Sequence, residues 1–380
     1  MERFRAEFSH LNYPGVYLDH AAVSPLNQRS YKYVQTFLRQ AQGKRINNYQ
    51  ETMDLMNALH VGIGRLIHAP ADRIALVRNT TDGLILLARG YPWKPGDRIV
   101  LHRREFPSNV YPWWELQQSG VILDFLDTPE GRVDPAALET VVTPRTRLVT
   151  VSWVQYFNGL RNALKPLVEW CHERNILVAV DVMQGLGQLE LNVADIGMDF
   201  LATGTAKWLL GPQGLGFVYL TDALQEELHP PHLGWQSRAS FWDFHRYDQP
   251  LKAGAGRYEF ATPFSLGVWW FKGSLELLEE AGPARIERRI LSLRNKLISR
   301  LEEIGLDILS PNDNPREFTG IVVCSLGDEE RNAQLHAFLQ DRNIIVSLRN
   351  GLLRISPHFY NTEEDLDEIQ TAIRDFQSQQ

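Results

Sequence analysis

The chain has 380 residues, 39 of them basic and 46 acidic, for a formal charge of −7, and 44% are hydrophobic with no biased tract. This acidic balance argues against a nucleic-acid partner, and a chain of this length buries a substantial core without disulfides or metals. Its two cysteines, Cys171 and Cys324, sit in a helical and a strand-like stretch and suggest no disulfide framework. MERFRAEFSH lacks the apolar centre of a signal peptide and no apolar run nears membrane-spanning length, so a cytoplasmic protein without membrane partners is expected.

Residues 1–16 read as a lead-in, followed by a short strand and turn from Tyr17 to Ala22 and a helical stretch opened by Ser24-Pro25. His20 reads as a surface histidine. Over residues 48–67 the spacing of Met53, Met56, Leu59, Ile63 and Leu66 is helical, with the methionines in the core. A strand at residues 74–77 leads through Arg78-Asn79-Thr80-Thr81-Asp82-Gly83 into a helix beginning near Leu84. Hydroxyl residues at such a junction offer free backbone N–H groups and a favourable dipole to an anion, with a plain Thr or Asp cap as the alternative. No glycine-rich nucleotide signature is present.

Strands at 98–101, 121–126 and 148–151, with a helix at 135–141, imply a largely parallel sheet with helices on both faces. Residues 176–180 form an apolar run that stops at Asp181, and residues 199–202 give way to Thr203, Gly204, Thr205, Ala206 and then Lys207. Gly211, Gly214 and Gly216 precede a third run at 217–220. Ligands of open α/β sheets sit beyond the carboxyl ends of strands, where Asp181 and the approach to Lys207 both fall. On these two residues alone an Asp181–Lys207 ion pair is the plain reading, since buried charge is costly unless paired or used. A lysine among small residues, however, leaves space for a ring. Pyridoxal phosphate fits, needing a lysine for its Schiff base and an acid for its ring nitrogen. Residues 230–252 read as a surface or interface segment, and helices follow at 267–280 and 283–304. Strands at 320–326, 344–346 and 352–355, with helices at 329–341 and from Glu363, complete a smaller α+β unit. The division expected is a large cofactor domain over 17–261 and a small domain formed by 1–16 and 262–380.

The stretch VAVDVMQGLGQLELNVADIGMDFLATGTAKWLLGPQGLGFVYL resembles the cofactor segment of the class V aminotransferase family, which includes cysteine desulfurases, kynureninases and isopenicillin-N-epimerase-like proteins. YLDHAAVSP, RNTTDGL, EFPSNVYPW and LRISPHFYNTEEDLD match in the same order, so the resemblance covers nearly the whole chain. It implies fold type I, with pyridoxal phosphate on Lys207 and Asp181 at the ring nitrogen. Phe106 would stack on the ring, where desulfurases generally have His, and Gln184 would donate to the phenolate oxygen. Thr80, Thr81 and one of Thr203 and Thr205 would hold the phosphate. RYEFATP resembles R-x-E-x-G-T-P, with Ala261 in place of Gly; its Thr262 would reach a neighbour's phosphate across a homodimer. Gln155 or Asn158 would reach the phenolic oxygen or the substrate carboxylate. Arg354 would clamp the α-carboxylate, which a guanidinium matches in a bidentate fork, with Arg349 as a second candidate. The segment VSLRNGLLR has no cysteine where desulfurases carry their thiol, so persulfide chemistry is not expected. The expected activity is aminotransferase-type, at Cα of an amino acid. A C–S lyase or epimerase of the same family is the alternative, and a catalytically silent binding protein the remote one.

Overall fold

A computed structural model describes residues 1–43 and 47–379. Thirteen strands occur along the described chain: β1 (Val16–Tyr17), β2 (Ile74–Val77), β3 (Arg98–His102), β4 (Ile122–Leu126) and β5 (Thr146–Ser152) come first. They are followed by β6 (Leu177–Asp181), β7 (Phe200–Gly204), β8 (Gly216–Leu220), β9 (Asp307–Ile308) and β10 (Val322–Ser325). The last are β11 (Ile344–Ile345), β12 (Ser347–Arg349) and β13 (Leu352–Ile355). Seven form one sheet in the order β2-β8-β7-β6-β5-β3-β4, and β8 alone runs against its neighbours.

Strand alternation explains why these strands read as unbroken apolar runs. Val149, Val151, Val178, Val180 and Leu201 join one buried cluster, whereas Leu148, Ala179, Phe200 and Ala202 join another. Odd and even positions thus serve opposite faces, and helices cover both. The helix Thr80–Gly90 lies on one side, contributing Leu84 and Leu87, and the helix Tyr49–Ile67 on the other, contributing Leu59 and Ile63. A second sheet, β12-β13-β10-β9, is antiparallel and packs with the helices Glu329–Asp341 and Glu363–Ser378 around its own cluster.

Two elements tie the units together. The helix Pro283–Glu303 gives Ile286 and Ile290 to the large cluster and Leu293, Leu297 and Leu301 to the small one. The N-terminal segment gives Phe4 and Phe8 to the large cluster, then pairs β1 with β11. The helix Ser265–Ala281 lies beyond residue 261 yet packs in the larger cluster through Val268, Phe271 and Leu275. None of the described helices is long and apolar enough to cross a membrane.

Candidate active site

Three adjacent strands end in register: Ser152 of β5 pairs with Asp181 of β6, which pairs with Ala202 of β7. Their carboxyl ends open onto a cavity of about 240 Å³ lined by Asn79, Thr80, Thr81, Phe106, Asp181 and Lys207, among others. The Lys207 segment is held from several directions. Thr205 N–H donates to the Leu215 carbonyl at 2.9 Å and Gly211 N–H to the Thr205 carbonyl at 2.8 Å. Ser24 N–H donates to the Ala206 carbonyl at 2.8 Å, and Leu210 N–H closes a turn onto the Lys207 carbonyl at 3.0 Å. Leu210 takes φ 59°, a left-handed conformation costly for a residue with a branched side chain, which the surrounding contacts must maintain.

The electrostatics are those of two charges without partners. Burial pushes the Asp181 carboxyl up to about 7, against the single hydrogen bond from Met183 N–H at 2.8 Å, and buried Glu105 pushes it further. Burial brings the Lys207 amine down to about 8, with Arg354 lowering it further. Among the described residues the Lys207 amine makes no hydrogen bond or salt bridge; its Nζ lies 5.7 Å from the Phe106 ring centre. An acid and an amine that face one cavity and lack counterparts fit a cationic heterocycle bearing an aldehyde. The opposite end of the cavity fits a phosphate: Asn79 caps the helix Thr80–Gly90, so its first turn presents amides and the positive dipole end at Thr80 and Thr81. The Thr81 hydroxyl donates to Ser108 Oγ at 2.8 Å, adding a second hydroxyl beside it.

The structure brings Thr80, Thr81, Phe106, Asp181, Gln184 and Lys207 to this cavity. Gln184 is tied down by its own amide, which donates to the Ala21 carbonyl at 3.0 Å and accepts from Trp208 Nε1 at 2.9 Å. Thr203 and Thr205 are not brought there. The Thr203 hydroxyl donates to the Gly204 carbonyl at 2.9 Å, and that of Thr205 to the Pro212 carbonyl at 2.8 Å. Asn158 is turned away, donating to the Glu130 carbonyl at 2.9 Å. Gln155 is buried and donates to Glu105 at 3.2 Å. Thr262 is exposed and lines a different cavity of about 250 Å³ with Arg78, His232 and Phe264.

Arg354 is buried; its guanidinium donates to the Tyr156 carbonyl at 3.3 Å and to Ser347 Oγ at 3.4 Å, and lies 3.8 Å from Asp19. Its Nε is buried without a partner among the described residues, and Arg354 stands behind Tyr156 rather than in the cavity wall itself. His20 is not at the surface. It is fully buried, with Nε2 2.9 Å from the Tyr360 hydroxyl and Nδ1 3.3 Å from the Ser356 carbonyl. Burial holds it well below the usual histidine range, so it packs as a neutral ring.

Sequence reasoning gave no role to Asn79, Ser108, Ser152, Tyr156 and Met183, which also line the cavity. It also missed buried Glu105, which accepts from Ser152 N–H at 2.9 Å and from the Ser152 hydroxyl and so fixes the end of β5. A buried acid one residue before an aromatic was the available signal. Met183 had none: its sulfur accepts from Gly204 N–H at 3.3 Å, a contact only the turn after β6 creates.

Among the described residues no cluster of His, Cys, Asp and Glu could hold a metal. Both cysteines are buried, and burial pushes each thiol up to about 12, where the thiolate is scarce.

A probable cysteine desulfurase of Methanothermobacter thermautotrophicus is 29% identical over 321 residues, covering 80% of this chain and 79% of that protein. An uncharacterized aminotransferase of Bacillus subtilis is 25% identical over 319 residues, covering 84% and 83%. The fold superposes on the apo cysteine desulfurase of Thermococcus onnurineus with a TM-score of 0.88, at 23% identity, over 98% of this chain and 97% of that one. The aminotransferase class-V profile matches residues 16–369, and the chain therefore belongs to the class V aminotransferase family, as a pyridoxal-phosphate-dependent enzyme of fold type I.

Proposed function

We propose that this enzyme is an aminotransferase acting at Cα of an amino acid, with Lys207 as its proton carrier. The observation that carries this reading is the make-up of the cavity wall: Lys207 is the single amine or imidazole among the residues lining it. A proton moved away from Cα and returned elsewhere on the same face needs one base. Two-base epimerisation needs a second base on the opposite face; Phe106 offers none, and the Tyr156 phenol beside it is the group that would have to serve.

Pyridoxal phosphate supplies a carbonyl for the amino group and an electron sink for the pair left at Cα. The chain's own residues do the rest. Burial lowers the Lys207 amine to about 8, so a fraction of it is neutral and able to accept a proton at physiological pH. Asp181 would face the ring nitrogen and hold its proton. Thr80, Thr81 and the helix start bind the phosphate, and Phe106 covers the ring and excludes water. Arg354, whose buried Nε has no partner among the described residues, would orient the α-carboxylate. Persulfide chemistry through a loop thiol has no support, since both cysteines are buried at a distance from this wall.

We further propose a homodimer in which Thr262 meets a second copy; its exposure and its place in a cavity away from Lys207 support this. Sedimentation of the holoenzyme as a monomer would remove that part.

The test is a panel of amino acids given to the purified holoenzyme with and without a keto-acid acceptor. Amino-acid consumption that requires the acceptor is expected, and Lys207→Ala should lose both turnover and the reducible covalent attachment of the cofactor. Release of ammonia or sulfide without an acceptor would replace the transaminase by a lyase, and loss of optical rotation alone by an epimerase.

A further inference from the structure

We propose that Arg349 recognises a second carboxylate on the substrate, so that the amino acid accepted here is dicarboxylic, of aspartate or glutamate size. The proposal rests on Arg354 binding the α-carboxylate and deepens that reading.

Strands β12 and β13 pair antiparallel with Ser347 opposite Arg354 and Arg349 opposite Leu352. Residues directly opposite share a face, as do alternate residues along a strand, so Arg349 and Arg354 project from the same face. They are diagonal neighbours, with Cβ atoms about 7–8 Å apart in such a pairing. That face meets the active site. Ser347 Oγ holds both Asp19 carboxylate oxygens at 2.7 Å and receives Arg354 at 3.4 Å, and Arg354 in turn reaches the carbonyl of cavity-lining Tyr156.

The hairpin fixes the face from which Arg349 leaves the strand. Asn350 and Gly351 close it in two residues, with φ 51° and 74°, the mirror-image turn suited to a twisted hairpin. Gly351 also packs tightly, since a Cβ there would lie 2.4 Å from Glu329 Cγ. Where family desulfurases carry a thiol-bearing loop, this chain carries a short turn with a cation at its base.

Arg349 has no hydrogen bond or ion pair among the described residues. Arg354, by contrast, is partly balanced by Asp19. The field of Arg349 nonetheless reaches the site: burial sets the downward shifts of Lys207 and Arg354, and the Arg349 charge adds to both. An α-carboxylate answers Arg354 and leaves Arg349, exposed at the end of β12 on the same face, with its positive charge. An acidic side chain completes the balance, as a neutral one does not.

The experiment is calorimetric titration of the holoenzyme with succinate and with butyrate, which carry two carboxylates and one. Succinate should bind about tenfold more tightly, one charge-assisted contact's worth. Arg349→Gln should erase that preference while leaving butyrate within about twofold, and Arg349→Lys should keep part of it. Arg354→Gln should weaken both ligands. Equal affinities in the parent enzyme, or a preference that survives Arg349→Gln, overturn the proposal. Binding is read without turnover, so a failure of the transaminase reading shows separately, as an acceptor-independent reaction with the succinate preference intact.

Discussion

Asp181 shows how a functional residue weakens the protein that contains it. Its carboxyl has one amide for a partner, and burial raises it from 3.8 to about 7. A raised acid prefers its proton in the folded state, so its contribution to stability is complete below pH 4 and lost as pH rises through 7. At about 1.4 kcal/mol per unit, the loss between pH 5 and pH 8 in the cofactor-free protein is about 2–3 kcal/mol. Asp181→Asn keeps an acceptor for Met183 but cannot ionise. Urea unfolding of the apoprotein should therefore show the variant gaining on the parent by that amount from pH 5 to pH 8, while its affinity for pyridoxal phosphate collapses. A constant difference across pH would mean that a cation, Lys207 being the one at hand, already matches Asp181. The pair Asp181 and Lys207 reads on its own as a plain ion pair, and it is the small residues around the lysine that point to a cofactor instead. Glu105 was not legible, because its partner Ser152 lies 47 residues away in sequence.

Single elements separate what periodicity reveals from what only packing reveals. The runs around Asp181, Gly204 and Leu220 became β6, β7 and β8 within a residue or two, since the sheet buries both their faces. The helix expected near Leu84 instead starts at Thr80, because the Asn79 side chain accepts from Asp82 N–H and fixes the first turn there. That shift is what puts Thr80 and Thr81 on the amide-rich end. Thr205 went the other way: its nearness to Lys207 suggested a phosphate contact, but its hydroxyl holds the loop shut onto Pro212 and Leu215. The two roles make opposite predictions. Thr205→Val should lower unfolding free energy by about 1–3 kcal/mol, the cost of stranding buried acceptors, with cofactor affinity changed little once the protein is folded. Thr81→Ala should weaken cofactor binding several-fold, as befits one lost hydroxyl, with little effect on stability. Titration of apoprotein with pyridoxal phosphate, beside a thermal melt, distinguishes them; the reverse pattern would return Thr205 to the phosphate.

At the scale of the whole molecule, the N-terminal segment, the Lys207 loop and the turn after β13 meet in a seam of buried rings. His20 lies 4.9 Å from His358 centre to centre, Tyr360 stacks on Phe8 at 3.8 Å, and His358 Nε2 lies 3.0 Å from the Trp208 carbonyl. Burial brings His358 down to about 4, and His10, beside Arg5 and Asp365, falls equally far. A histidine lowered by folding supports the native state above its ordinary value of 6.5, and that support drains as pH falls through 4. For His358 the drop is about 2.5 units, or about 3 kcal/mol, taken from the contact that holds the Lys207 loop against the small sheet. Acid should thus loosen this seam before carboxylate pairs such as Arg5–Asp365 release, since Asp365 is held below its usual range. His358→Gln keeps a donor for the Trp208 carbonyl and removes the titration. Its stability curve from pH 7 to pH 4 should be flatter than the parent's by about 3 kcal/mol, measured by denaturant unfolding at each pH. Parallel curves would show that the imidazole accepts its proton in place, with water reaching a seam that the packing closes.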